Sequence, residues 1–381
     1  MTPDSVTNAM PKKEQLYELI RSNPFISQQD LAGHLGLSRS AVANYIATLV
    51  RERRILGRAY VLPDHRPILC IGASNLDRKL RTLDTLSLGT SNPARQTESF
   101  GGVARNIAEN LARLGAPTSL VTAVGSDASG RALLAYADET GIDTRGALRV
   151  DGAASGTYTA LLDQDGDMRV ALADMEINEA LTPEFLSTRE QQRAGAALIV
   201  ADLNLPREAI AMLLTGAMRD GVPMVIVAVS EPKIARLPLA LHGLRLLILN
   251  LGELATRAGR ALDTHADIAA ACAELQRDGV QDVIVTRGAQ GVMFTGADGL
   301  RSLEIPAAAP SAEIVDVTGA GDAFAAAVCW TLYNGEPDLE LACRRGQLLA
   351  AMTVACAHTV SPELAPGLFD SALTATDIVT D

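Results

Sequence analysis

Asp316-Val317-Thr318-Gly319-Ala320-Gly321-Asp322 runs without a break into an apolar helical pattern, Ala323 to Leu332. Two glycines and an alanine at a helix start let backbone N–H groups converge on an anion, and the helix N-terminus adds about half a positive charge. Asp322 would repel a phosphate bound there unless it takes a proton from an attacking hydroxyl. In that role it is a catalytic base, and Gly319, Ala320 and Gly321 hold the transferring phosphoryl group. The plain alternative is a glycine-rich turn in which Asp322 only caps the helix.

About 210 residues upstream stands Gly101-Gly102-Val103-Ala104-Arg105-Asn106-Ile107-Ala108, leading into a helix that ends at Leu114-Gly115. Paired glycines before a helix admit a ligand close to the backbone, and Asn106 offers a donor and an acceptor to a polyol. Around these motifs, short apolar runs alternate with amphipathic stretches: Ile68–Ile71, Leu120–Val124, Leu198–Ala201, Met224–Val229, Leu246–Leu249 and Val283–Thr286. Continuous apolar strands separated by helices predict an α/β fold, a mostly parallel sheet covered on both faces. Gly156–Leu162 and Met168–Asp174, around the polar turn Asp163 to Asp167, predict a hairpin off that sheet, a lid at about 153–176.

The chain has 381 residues and a net charge of −12, with 48% hydrophobic and 20% charged residues. That composition leaves little room for long disorder or a rod. No apolar run approaches the ~18 residues of a membrane span, and Met1 to Gln15 lacks a signal-peptide pattern, so a cytoplasmic protein is expected. Five scattered cysteines without a CxxC predict buried free thiols rather than a zinc site.

Charge divides the chain. Residues 1–62 hold eight basic and five acidic residues, a net +3 that leaves −15 for the rest of a chain at −12 overall. A small basic module thus precedes a large acidic one, with Pro63 to Pro67 as linker and 68–381 as the second domain. In the first, Lys12–Ser22, Gln28–Leu35 capped by Ser27, and Arg39–Arg53 predict three helices, and Arg54 to Leu62 a β wing. That pattern resembles a winged helix-turn-helix. In such a module Arg39, Ser40 and Asn44 lie near base edges, and Arg51, Arg53, Arg54 and Arg58 near phosphates, on DNA bound by a dimer. A three-helix oligomerisation module fits the same pattern.

The two glycine motifs together resemble the signatures of the PfkB (ribokinase-like) family of carbohydrate and nucleoside kinases, over about residues 67–370. The run GGVARNIAENLARLG (101–115), Ser91-Asn92-Pro93, Val124 to Asp127 and Val200 to Asn204 are similar to its pseudouridine kinase branch. The resemblance implies a ribokinase-like sheet with a small β lid, and an ATP- and Mg2+-dependent kinase for the 5′-hydroxyl of pseudouridine. Kinases for other nucleosides or sugars, and a transcriptional regulator with a kinase-like sensor domain, remain alternatives. By the same resemblance Asn75, Asp77, Gly102, Asn106 and Asn204 bind substrate, with Thr157 or Thr159 reading the base. Asn250 and Glu253 position Mg2+ through water, and Thr286, Gly288 and Gly291 bind nucleotide. Asp316 and Thr318 match positions that hold a monovalent cation, K+, in several relatives. Val103 replaces a Lys and Asn204 a Glu of ribokinases, which argues against free ribose, and Ala228 replaces a common Asp. Lid pairing in the family implies a homodimer.

Overall fold

A computed structural model describes residues 10–22, 26–52, 54, 66–296, 299–303 and 315–372. The chain divides into two units, Met1–His65 and Arg66–Asp381. In the first, helices Lys12–Ser22, Gln28–Leu35 and Arg39–Arg51 close over Leu16, Leu31, Leu35, Val42 and Leu49. Ser27 and Ser38 accept the N–H groups of Asp30 and Ala41 as N-caps, and Gly36 ends the second helix at φ 62°. The capping serines start the second and third helices, and the left-handed glycine ends the second. Apart from Arg54, the predicted wing lies outside the described residues, as do Arg53 and Arg58.

In the second unit the described strands form one sheet in the order Gly299–Leu303, Val292–Gly296, Asp282–Thr286, Leu246–Asn250, Met224–Val227, Leu198–Asp202, Ile68–Ile71, Thr118–Val121 and Ile142–Asp143. Pairing is parallel from Asp282–Thr286 through Ile142–Asp143, and the first two strands add antiparallel at one edge. Alternation along each strand explains why these runs are apolar throughout. Ile68 and Cys70 face helices Val103–Arg113, Ala320–Tyr333 and Leu339–Val354, while Leu69 and Ile71 face a core that includes helices Arg207–Asp220 and His265–Arg277. Both faces are dry, so no polar alternation survives. The five cysteines are unpaired and, Cys356 apart, buried. Among the described residues no helix is long and apolar enough to cross a membrane.

The lid is larger than its sequence suggests. Hairpin Gly156–Leu162 and Met168–Asp174 has the expected bounds, but it continues into a four-stranded sheet with Asn75–Thr82 and Ala94–Gly101. Those two strands, NLDRKLRT and ARQTESFG, are charged on both faces and carry no apolar alternation. Backbone pairing over eight residue positions forms them instead.

Candidate active site

Helix Ala320–Tyr333 begins at Gly319 (φ 86°) without a side-chain cap. The N–H groups of Gly321 and Asp322 have no partner among the described residues, and Ala320 N–H makes a long bond of 3.3 Å to Val317. Donors therefore converge where the sequence places an anion. Gly319 is packed from below: a Cβ there would lie 2.1 Å from the Thr359 carbonyl oxygen.

Asp322 meets the second glycine motif here. Its Oδ2 accepts the Asn106 amide N–H at 2.7 Å, and Asn106 Oδ1 accepts Arg105 Nη2 at 2.7 Å. Arg105 is buried and pairs with equally buried Glu109 one turn on, at 2.8 Å. Glu109 also takes Tyr136 Oη (3.0 Å) and Arg113 (2.8 Å). This chain leaves the Asn106 amide one orientation, N–H toward Asp322. Loss of water around Asp322 pushes its carboxyl up to about 7; the Asn106 donor and Arg105 pull it down, and Asp202 and Asp77 push it further up. A carboxylate poised near neutrality is matched to taking a proton from a hydroxyl.

Asp77 stands at the start of the lid strand Asn75–Thr82, its Oδ1 accepting Asn75 Nδ2 at 2.6 Å. A Cβ on Gly102 (φ 101°) would sit 2.4 Å from Ala73 O, so that glycine is sterically required, and one on Gly101 would sit 2.2 Å from Asp77 Oδ2 and push that carboxylate aside. Burial raises the Asp77 carboxyl, against the Asn75 hydrogen bond and the charges of Arg105 and Lys79. Thr157 is not on this surface. It pairs in register with Leu76, whereas Tyr158 pairs with Asp77, so alternation turns Thr157, and Thr159 beyond it, to the opposite face of the lid.

Asn204 is buried, its N–H bonded to Asp202 Oδ1 at 2.8 Å and its carbonyl accepting Arg236. Asp202 closes an otherwise apolar strand, and its Oδ2 accepts the N–H groups of Ala73 (2.9 Å) and Ala104 (3.0 Å). One buried carboxylate thereby ties the first strand's end to the start of the Gly101-Gly102 helix. A lone acid ending the run LIVAD was the only trace of this in the sequence, and Arg105 and Glu109, spaced i,i+4, were the trace of the other network.

At the far end, Asn250 pairs in register with Thr286, whose strand leads to Gly288 (φ 56°) and Gly291 (φ 84°). Asn250 and Glu253 form a reciprocal helix cap: Asn250 Oδ1 accepts the Glu253 N–H at 2.8 Å and Glu253 Oε2 accepts the Asn250 N–H at 2.7 Å. Burial raises the Glu253 carboxyl, and nearby Glu231, absent from the sequence expectation, raises it further. Among the described residues no three metal-ligating side chains converge. One or two acids without a closed cage fit Mg2+, which keeps several waters and leans on substrate phosphates. Asp316 does not fit a free monovalent cation in the same way. Its Oδ1 accepts Thr318 N–H (2.9 Å) and Oγ1 (2.6 Å), and its Oδ2 is ion-paired with Lys79.

In the basic unit Arg39, Ser40, Asn44 and Arg51 are exposed on the third helix or at its end. Arg54 differs from expectation. It is clamped by Glu14, Nη1 to Oε1 at 2.8 Å and Nη2 to Oε2 at 2.6 Å, over the Tyr17 ring, so it braces the module rather than standing free for phosphate.

Residues 66–365 match the signature of the pfkB family carbohydrate kinases, and 11–55 that of a winged helix-turn-helix DNA-binding domain. The chain belongs to the pfkB family. It is 34% identical to the pseudouridine kinase of Escherichia coli over 299 residues, covering 78% of this chain and 93% of that one. It is 32% identical over 324 residues to the sugar kinase YeiI of the same organism, covering 85% and 88%. Among solved structures, a carbohydrate kinase from Agrobacterium tumefaciens matches with a TM-score of 0.68 at 28% identity over 79% of this chain and 94% of that one. The ribokinase of Arabidopsis thaliana, solved with ribose and ATP, shares the fold with a TM-score of 0.68 at 22% identity, covering 78% and 96%. The pfkB unit is thus a ribokinase-like sugar or nucleoside kinase, a phosphotransferase acting on an alcohol, joined to a winged helix-turn-helix unit.

Proposed function

We propose that this protein transfers the γ-phosphoryl group of ATP to the 5′-hydroxyl of pseudouridine. The observation that carries the reading is the bond from Asn106 to Asp322 beside the free N–H groups of Gly321 and Asp322. A carboxyl of raised pKa beside unpartnered backbone donors supports a base working next to an anion hole. Asp77 and Asn106 hold the ribose 2′- and 3′-hydroxyls, Asp322 removes the 5′-hydroxyl proton, and the Gly319 to Asp322 backbone, through the free N–H groups of Gly321 and Asp322, receives the phosphoryl charge as it develops. Thr286, Gly288 and Gly291 line the nucleotide side. Asn250 and Glu253 would hold waters of a Mg2+ ion, which when bound would offset phosphate charge. Likeness to a pseudouridine kinase and the apolar Val103 favour a nucleoside over free ribose. Edge strand Met168–Asp174 exposes Met168, Val170 and Leu172, which suits lid pairing in a homodimer.

The test is ATP-dependent phosphorylation of pseudouridine, uridine, inosine, cytidine, ribose and fructose, with Asp322→Asn as the blank. Preference for pseudouridine is expected. Preference for a hexose or free ribose, or no turnover at all, would reject the assignment. Because only the ionised base accepts a proton, kcat/KM should fall about tenfold per pH unit below about 7 and level off above it. A profile flat down to pH 5.5 would remove Asp322 from that role.

A second reading, that the N-terminal unit binds DNA, rests on the helix-turn-helix match and exposed Arg39, Ser40 and Asn44. Fluorescence anisotropy with a duplex selected from random sequence should show Asn44→Ala losing roughly 1–3 kcal/mol on that duplex. Arg51→Ala should weaken all duplexes alike and lower the salt slope by about 1. Equal affinity of the parent and both variants would leave the unit a plain three-helix module. Comparing affinity with and without the kinase substrate shows whether the two activities are coupled.

A further inference from the structure

We infer that Lys79 is a positioning residue: its ammonium, carried on the lid, supplies the fixed positive charge that the Asp316–Gly321 loop needs, so the enzyme works without a free monovalent cation. The inference rests on the kinase reading above.

Asn75, Asp77, Lys79 and Arg81 alternate onto one face of the lid strand. The Arg81 guanidinium is spent on the Gln164 carbonyl, at 3.1 and 2.6 Å, and Arg78, on the other face, pairs with Glu98 at 2.9 Å. Lys79 alone of these cations reaches across 237 residues of sequence to Asp316. Asp316 is thereby met on one oxygen by the Lys79 ammonium and on the other by two Thr318 donors.

The loop beyond Asp316 is held at two points, although Val317 between them is exposed. Thr318 is drawn back onto Asp316, and Gly319 lies against the Thr359 carbonyl, which leaves no room for a side chain. From this loop the chain enters the helix that carries Asp322 and the free N–H groups. Asp316 stands at the head of the loop that receives an anionic phosphate, and like charges at short range repel strongly unless a cation is held beside them. A cation fixed by a covalent stem performs that task without drawing on ions from solution. Because the stem belongs to the lid strand that also carries Asp77, the charge reaches the loop when the lid lies over the site. Substrate capture and ordering of the anion loop become one event.

The full-length protein and Lys79→Met are compared in choline chloride and in KCl at equal ionic strength, by thermal melting and by turnover. Wild type should melt and turn over identically in the two salts. Lys79→Met should lose about a hundredfold in kcat in choline chloride. In KCl it should recover much of that loss and gain a few degrees of melting temperature, because K+ binds Asp316 and stabilises the native state. Adding Asp316→Asn to the variant should abolish the response. Melting reports cation binding whatever the acceptor, so a wrong substrate assignment leaves that arm intact. The inference is overturned if wild type responds to KCl, if Lys79→Met equals wild type in choline chloride, or if the variant ignores KCl.

Discussion

Asp322→Asn should abolish phosphoryl transfer by 10²- to 10⁴-fold and at the same time make the protein harder to unfold above pH 7. The activity loss follows from removing the acid that Asn106 orients toward the anion hole; the amide keeps the shape and the Asn106 contact but takes no proton. The gain in stability follows from linkage. The carboxyl ionises near 3.8 when exposed and at about 7 when folded, so the native state binds this proton more tightly. Stability associated with the group is fully present below the unfolded value and is lost as pH rises from about 4 to about 7. The loss is at most roughly 4 kcal/mol, and smaller because Asp322 is partly solvated. An Asn pays none of it. Calorimetry at pH 8 should therefore find the variant melting above wild type, with the difference closing at pH 4. A variant that melts lower at pH 8 would show that Asp322 bears no such ionisation cost.

Gly319→Ala carries the second large effect, and Gly321→Ala is its control. At Gly319 a methyl group would lie 2.1 Å from the Thr359 carbonyl oxygen, and φ is 86°, a conformation an L-residue adopts only under strain. Strain of this kind costs about 1–3 kcal/mol, and its relief must move either the loop or the 356–362 segment behind it. Moving the loop displaces the anion donors, so activity should fall at least 10²-fold, as when one oxyanion donor is lost. At Gly321 a Cβ meets nothing within 4 Å. That substitution should leave the melting temperature unchanged or slightly higher, since Ala favours the helix over Gly. Equal melting temperatures for the two variants would mean that the Gly319 contact does not constrain the loop.

The contrast between those two glycines shows how far a sequence reaches. Both stand in one motif and look alike in it. Only the carbonyl of Thr359, brought beneath one of them by folding, tells them apart. The central strands and the helices between them were legible because burial on both faces leaves continuous apolar runs, and Ile68–Ile71 came out with its observed bounds. The hairpin strands Gly156–Leu162 and Met168–Asp174 were legible from their polar turn. The other half of the lid was not, since its charged strands exist through pairing rather than pattern.

The sequence by itself determined the parallel α/β core, the three helices of the basic unit, and the two glycine motifs with Asp322 and Asn106 inside them. These follow from periodicity and from residue types whose backbone or side-chain chemistry acts locally. Tertiary structure alone decided that Arg105 and Glu109 orient Asn106, that Asp202 ties the strand end to the helix start, that Thr157 faces away from Asp77, and that Lys79 meets Asp316. Each depends on which face of a strand a residue occupies or on a partner as much as 237 residues distant, and hydrophobic patterning fixes neither for a charged side chain.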